Sequence, residues 1–179
     1  MRKGLRKFFY MTKGERALGL AYAAVMVAAA GIGLVAVARS GNGEALAGAT
    51  FGFLLWICVA GAIGGLLGLF AARAWMGDTG KVGLARAVVG GLAATFIAAL
   101  VGGTLIHPVI GTFYAPVVVL SSFLAQPLLA VAWATVLIGA HYLMLVIKDE
   151  RDFGFGRGAE HRAISQLSSL SQAQLFPRK

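Results

Sequence analysis

Charge is what this chain has least of. Only 13% of its 179 residues are Asp, Glu, Lys or Arg, and none of these lies between Ala87 and Ile147. A water-soluble domain of this length needs charged side chains over most of its exterior, so the scarcity excludes an ordinary soluble fold. Hydrophobic residues make up 59% of the chain and the mean hydropathy is +0.81. The solvent for much of it has to be lipid. Cysteine is nearly absent too. Cys58 stands alone, which excludes an internal disulfide, and no His or second Cys lies near it, which argues against a metal site. Proline is rare, and three of the four fall within residues 105–127.

The charges that exist flank apolar runs. Residues 1–16 hold Arg2, Lys3, Arg6, Lys7, Lys13 and Arg16 against Glu15, residues 39–44 are neutral, and residues 73–86 and 148–179 are each modestly basic. A bilayer explains this distribution of the net +9 better than a nucleic-acid backbone does, and no nucleic-acid-binding fold is recognisable around the basic ends.

A helix needs about 20 apolar residues to cross ~30 Å of hydrocarbon. The first run, 17–38, is long enough, and too long for a signal-peptide core of ~7–15 residues, so it reads as a retained span. The second covers about 47–72. The uncharged stretch 87–147 is too long for one span and divides into about 87–106 and 120–147. The expected fold is an all-α integral membrane protein. It is a four-transmembrane-helix bundle (17–147) between a basic segment (1–16) and a tail (148–179). Both termini are expected on the basic side, which in a bacterial cytoplasmic (inner) membrane is the cytoplasm.

Between the third and fourth spans, His107-Pro108 ends a helix because proline restricts the residue before it. Gly111, Thr112, Tyr114 and Pro116 supply turn chemistry. Pro127 falls inside the last span and is expected to kink it. A short re-entrant piece at 109–124, covered by protein, is the structural alternative. At the first boundary, Thr12-Lys13-Gly14-Glu15 matches a capping box. Ahead of it Leu5, Phe8 and Phe9 recur at helical spacing among Arg2, Lys3, Arg6 and Lys7, which suits a helix lying on anionic lipid headgroups. In the tail, the glycine-rich 154–158 reads as a flexible linker rather than a phosphate loop, since no strand precedes it and no Lys-Ser/Thr follows.

Small residues set the strongest local pattern. Gly48/Gly52, Gly61/Gly65 and Gly64/Gly68 are GxxxG pairs in the second span. Ala87/Gly91, Ala98/Gly102 and Ala99/Gly103 are their counterparts in the third. In lipid, helix association rests on close backbone approach, which such spacing permits. The expected use is internal packing, with one face left for another subunit or for a homo-oligomer.

Polar groups at membrane depth are few. Gln126, beside Pro127, can bond freed carbonyls. His141 is a candidate porphyrin-metal ligand, although an interfacial structural histidine is the simpler reading, and no cofactor or metal is expected. His107 and His141 fall at opposite membrane faces and cannot clamp one iron. No Ser/His/Asp or Cys/His set can be assembled on one face, so an enzyme is not expected. No carboxylate lies deep in a span, where ion-coupled transporters usually place one.

Two functions remain. The first is a non-catalytic accessory, assembly or scaffold subunit of a larger membrane protein complex, acting by helix packing against other membrane subunits. The second is a small channel or transporter component that forms a path as an oligomer, lined by Gln126, Ser121 and Ser122. They differ in what those three side chains do. Facing a wet cavity they favour transport; bonded back to carbonyls in a dry bundle they do not.

Overall fold

The computed structural model describes residues 12–40 and 48–175, with side chains through Arg151. Among the described residues there is no strand. Five helices run in order: α1 (Lys13–Ser40), α2 (Phe51–Ala72), α3 (Gly80–Ile106), α4 (Ile110–Ala125) and α5 (Pro127–Leu175), with a 3-10 turn, Arg73–Trp75, after α2. Four stretches are long and apolar enough to cross a membrane: Lys13–Arg39, Phe51–Trp75, Gly80–Ile106 and Pro127–Arg151. The protein is an all-helical, multi-pass membrane protein.

Helix α2 lies between α1 and α3, α5 packs along α1, and α4 folds back on α3 and reaches α1. The buried side of α1 is a stripe of Ala17, Ala21, Val25, Ala29 and Ile32, spaced so that successive members lie on one helix face. From Ala21 onward it meets Leu69, Ala72, Met76, Trp133, Ala140 and Met144 in one cluster. Large apolar side chains such as Leu20, Val27, Leu92 and Val131 point outward. In water they would be a liability; around a membrane span they are the lipid-facing coat.

Helix α1 starts as its sequence demands. The Thr12 amide donates to Glu15 Oε2 at 3.0 Å, and the Glu15 amide donates to Thr12 Oγ1 at 3.2 Å, the reciprocal pair of a capping box. The basic segment with Arg2, Lys3, Arg6, Lys7, Phe8 and Phe9 lies outside the described residues.

The region 107–127 differs from the expected turn followed by a kinked span. Residues 110–125 form a helix of their own, close to the re-entrant alternative. Pro116 sits inside that helix and not in the outer turn. A proline within a helix deletes only one backbone bond, and packing against neighbouring helices tolerates that. The last span does not begin at 120 and bend. It begins at Pro127, after Gln126 has left helical geometry at φ −130°, ψ 80°. The cause is local: the pyrrolidine ring pushes the preceding residue toward extended backbone, and proline then serves as the first residue of a new helix, where no amide is needed.

Helix α5 also runs on through 154–158, the stretch expected to be a flexible linker, to Leu175. No proline interrupts the chain between Pro127 and Pro177, so every amide can reach a carbonyl one turn back.

Candidate functional site

The polar chemistry of the bundle gathers in three places. The first is the turn between α2 and α3, where Gly77 adopts φ +80°. Its amide donates to His141 Nδ1 of α5 at 3.0 Å. That bond makes Nδ1 the acceptor, so the neutral ring carries its proton on Nε2. A side chain at Gly77 would press on the Met144 backbone at about 3.0 Å, so the turn needs glycine for both its dihedral and its space. Next to it, Asp78 accepts from Lys148 Nζ at 2.6 Å and from Arg86 at 3.3 Å. These two cations, Lys148 first, hold the Asp78 carboxyl below its ordinary range.

The second place joins the first and last helices at one end of the bundle. Glu150 Oε2 accepts from the Gly14 amide at 2.6 Å and from Thr12 Oγ1 at 3.1 Å. A carboxylate on α5 thus caps the amide end of α1, where unpaired N–H groups and the helix dipole both favour negative charge.

The third place is at mid-span. Trp133 Nε1 donates to Thr95 Oγ1 at 2.8 Å, and Thr95 donates to the Gly91 carbonyl at 2.8 Å. The relay pins α5 to α3. Farther along α3, Trp56 donates to the Leu105 carbonyl at 3.1 Å, and Thr104 meets Thr112 of α4 at 2.7 Å.

The glycines sort by neighbour. On α2, Gly61 and Gly65 face α1: a Cβ would come to 2.8 Å from the Ala29 carbonyl oxygen at Gly61 and 2.7 Å from the Ala29 side chain at Gly65. Gly64 and Gly68 face α3, where a Cβ would overlap the carbonyl oxygens of Ala98 and Ala94. Gly91 approaches Leu137 of α5, and Gly102 has ordinary room beside the Ala60 carbonyl. Gly103 abuts Gly111 of α4, while Gly48 and Gly52 have open space around them. The paired glycine faces of α2 are therefore occupied within the chain.

His107 is exposed and caps α3, its amide donating to the Gly103 carbonyl at 2.8 Å. Pro108 follows, and Val109 then adopts φ 70°, ψ −66°, with the Ile110 amide bonded to the Pro108 carbonyl at 2.9 Å. This is a γ-turn of the strained hand, costly for a β-branched residue by an amount of order 1–3 kcal/mol. Ser121 and Ser122 both donate to the Val118 carbonyl, at 2.9 and 2.7 Å, and Gln126 is exposed. Among the described residues no three His, Cys, Asp or Glu side chains gather as a metal would require, and His141 is engaged by Gly77.

One cavity of about 360 Å³ lies between α1, α2, α3 and α4, with Trp133 of α5 also on its wall. Its lining carries no charged side chain.

Sequence reasoning missed the Thr95–Trp133 relay, the Asp78 bridge and the Glu150 cap. The first carried a faint signal, since a threonine and a tryptophan in otherwise apolar spans each need a partner. The other two join residues far apart in sequence, and no local pattern announces them.

Comparison of the chain with protein-family models, with curated proteins and with solved structures finds no match.

Proposed function

We propose that the protein is a non-catalytic accessory, assembly or scaffold subunit of a larger membrane protein complex in a bacterial cytoplasmic membrane. Its two ends would lie in the cytoplasm. The observation that carries this reading is the fate of the polar groups at depth. Ser121 and Ser122 bond back to a carbonyl of their own helix, Thr95 serves Trp133, and the cavity among α1, α2, α3 and α4 is lined almost wholly by apolar side chains. The serines are spent within α4 and the Thr95–Trp133 pair ties α3 to α5, so among the described residues these groups line no hydrophilic track for a solute, which weakens the channel reading.

The means of docking shifts from the one expected. Gly61, Gly64, Gly65 and Gly68 already serve α1 and α3. A partner would instead meet the outer faces, among them the open small-residue positions Gly48, just ahead of α2, and Gly52 in its first turn, with anionic headgroups against the basic N-terminal segment. The test is purification of the tagged protein from native membranes in mild detergent, followed by sizing and mass spectrometry. Stoichiometric partners in one large particle are expected. A solitary chain or a homo-oligomer would sink the reading and call for solute-flux measurements in proteoliposomes.

A further inference from the structure

The cavity itself has a shape that specifies an occupant. Its buried end is at mid-bundle, against Thr95 and Trp133, and the exposed members of its lining, Phe53, His107, Ile110 and Tyr114, all belong to the opposite end. It is therefore a pit with a mouth beside the α3–α4 corner. From Thr95 to Ile106 the wall formed by α3 is eleven residues long, about 16 Å at the α-helical rise. One leaflet of a bilayer has a hydrocarbon depth of about 15 Å, half of the ~30 Å core. The volume, about 360 Å³, falls in the range of ~300–1,000 Å³ typical of small-molecule sites.

The walls decide the chemistry. The two polar groups at the buried end are already paired: Trp133 donates to Thr95, and Thr95 to the Gly91 carbonyl. A polar guest there would leave its own groups unpaired at a cost, and a hydrocarbon guest would not. His107 and the Tyr114 hydroxyl stand at the mouth, where an ester or headgroup would emerge. An apolar pit in a membrane-spanning bundle is surrounded by acyl chains at high concentration. It is too narrow for a helix of ~10–12 Å diameter to enter beside the four that wall it.

We propose that this pit is a lipid site that takes one acyl chain of a bilayer phospholipid, from the leaflet on the side of the α3–α4 corner. The chain fills the space between α4 and the α1–α2–α3 layer, with its polar end at His107 and Tyr114. Binding requires no partner protein, so it is tested on the isolated chain, and its failure is separate from failure of the subunit assignment.

The experiment uses the full chain with Trp56→Phe and Trp75→Phe, leaving Trp133 as the sole tryptophan, in vesicles of phosphatidylcholine brominated on its acyl chains. Trp133 is 6% exposed, so lipid around the bundle reaches it poorly, and the quenching due to a chain in the pit is the part that is lost when the pit is filled. Gly102→Leu fills the pit from α3, where a Cβ has ordinary room at 3.5 Å, and should cut the quenching at least twofold. Gly33→Leu, at 3.6 Å on the α1 wall, is the second filling variant should the first fail to fold. Gly139→Leu, facing open space, should change nothing. Native mass spectrometry of the detergent-purified protein should find one phospholipid per chain, lost in the filled variant. Equal quenching in filled and unfilled proteins overturns the proposal. So does retention of a prenyl lipid or of detergent in place of phospholipid.

Discussion

At the scale of single residues, the bundle is held by positions with no side chain to give way. A Cβ on Gly64 would run into the Ala98 carbonyl oxygen, which belongs to a rigid helix. We expect Gly64→Leu to cost at least the ~1–3 kcal/mol of an overpacked site and to lower the yield of folded protein. Gly52→Leu, facing open space, should stay within about 0.5 kcal/mol of the parent. Thermal unfolding in detergent, followed by size exclusion, separates the two, and equal behaviour would show that α2 does not approach α3 this closely. Asp78 offers a second residue-scale expectation. Lys148 and Arg86 depress its folded pKa. Its contribution is therefore present above the unfolded carboxylate value and is lost as pH falls through the lower folded one. Asp78→Asn should be less stable than the parent at pH 5–7, and the gap should close only below the ordinary carboxylate range. A gap that closes while the pH is still above that range would show that the Lys148 and Arg86 pairs do not carry it.

At the scale of elements, helix boundaries set by local chemistry could be read in advance. The capping box at Thr12–Glu15 and the stop at His107-Pro108 depend on a few adjacent residues, and both take their expected form. The helix α4 was harder to read. Its sixteen residues are too few to span a bilayer, and Pro116 inside it resembles a terminator. What makes it a helix is tertiary: Gly103 lets the α4 backbone come close at Gly111, and Thr104 bonds Thr112. Periodicity in one segment cannot show a contact supplied by another. The break at Gln126 follows from Pro127 alone. Pro127→Ala should let Gln126 become helical and join α4 to α5. Spin labels at the exposed positions Phe113 and Val131, in a Cys58→Ala background, should then move apart toward the roughly 27 Å expected for eighteen residues of unbroken helix. An unchanged distance would mean that packing of α4 on α3, and not the proline ring, imposes the break.

At the scale of the whole molecule, the charges and the contacts describe the same arrangement from independent directions. Glu150 caps the start of α1, Lys148 reaches Asp78 in the α2–α3 turn, and His141 reaches Gly77, so residues 12–14, 77–78 and 141–150 form one layer. The Phe51 end of α2 and the α3–α4 corner share the cavity mouth at the far end. Cationic side chains gather in the first layer and are sparse in the second, and the proposed orientation, with both ends cytoplasmic, expects the richer side to face inward. Single cysteines introduced into a Cys58→Ala background test this directly in intact cells with a membrane-impermeant maleimide. Gly48→Cys and Val109→Cys should label from outside, whereas Thr79→Cys and Asp149→Cys should label only after permeabilisation. The reverse pattern would keep the fold and invert the orientation. Labelling of Gly48→Cys together with Asp149→Cys would break the layer arrangement itself, since the chain would then need an even number of crossings between them, not the three made by α2, α3 and α5.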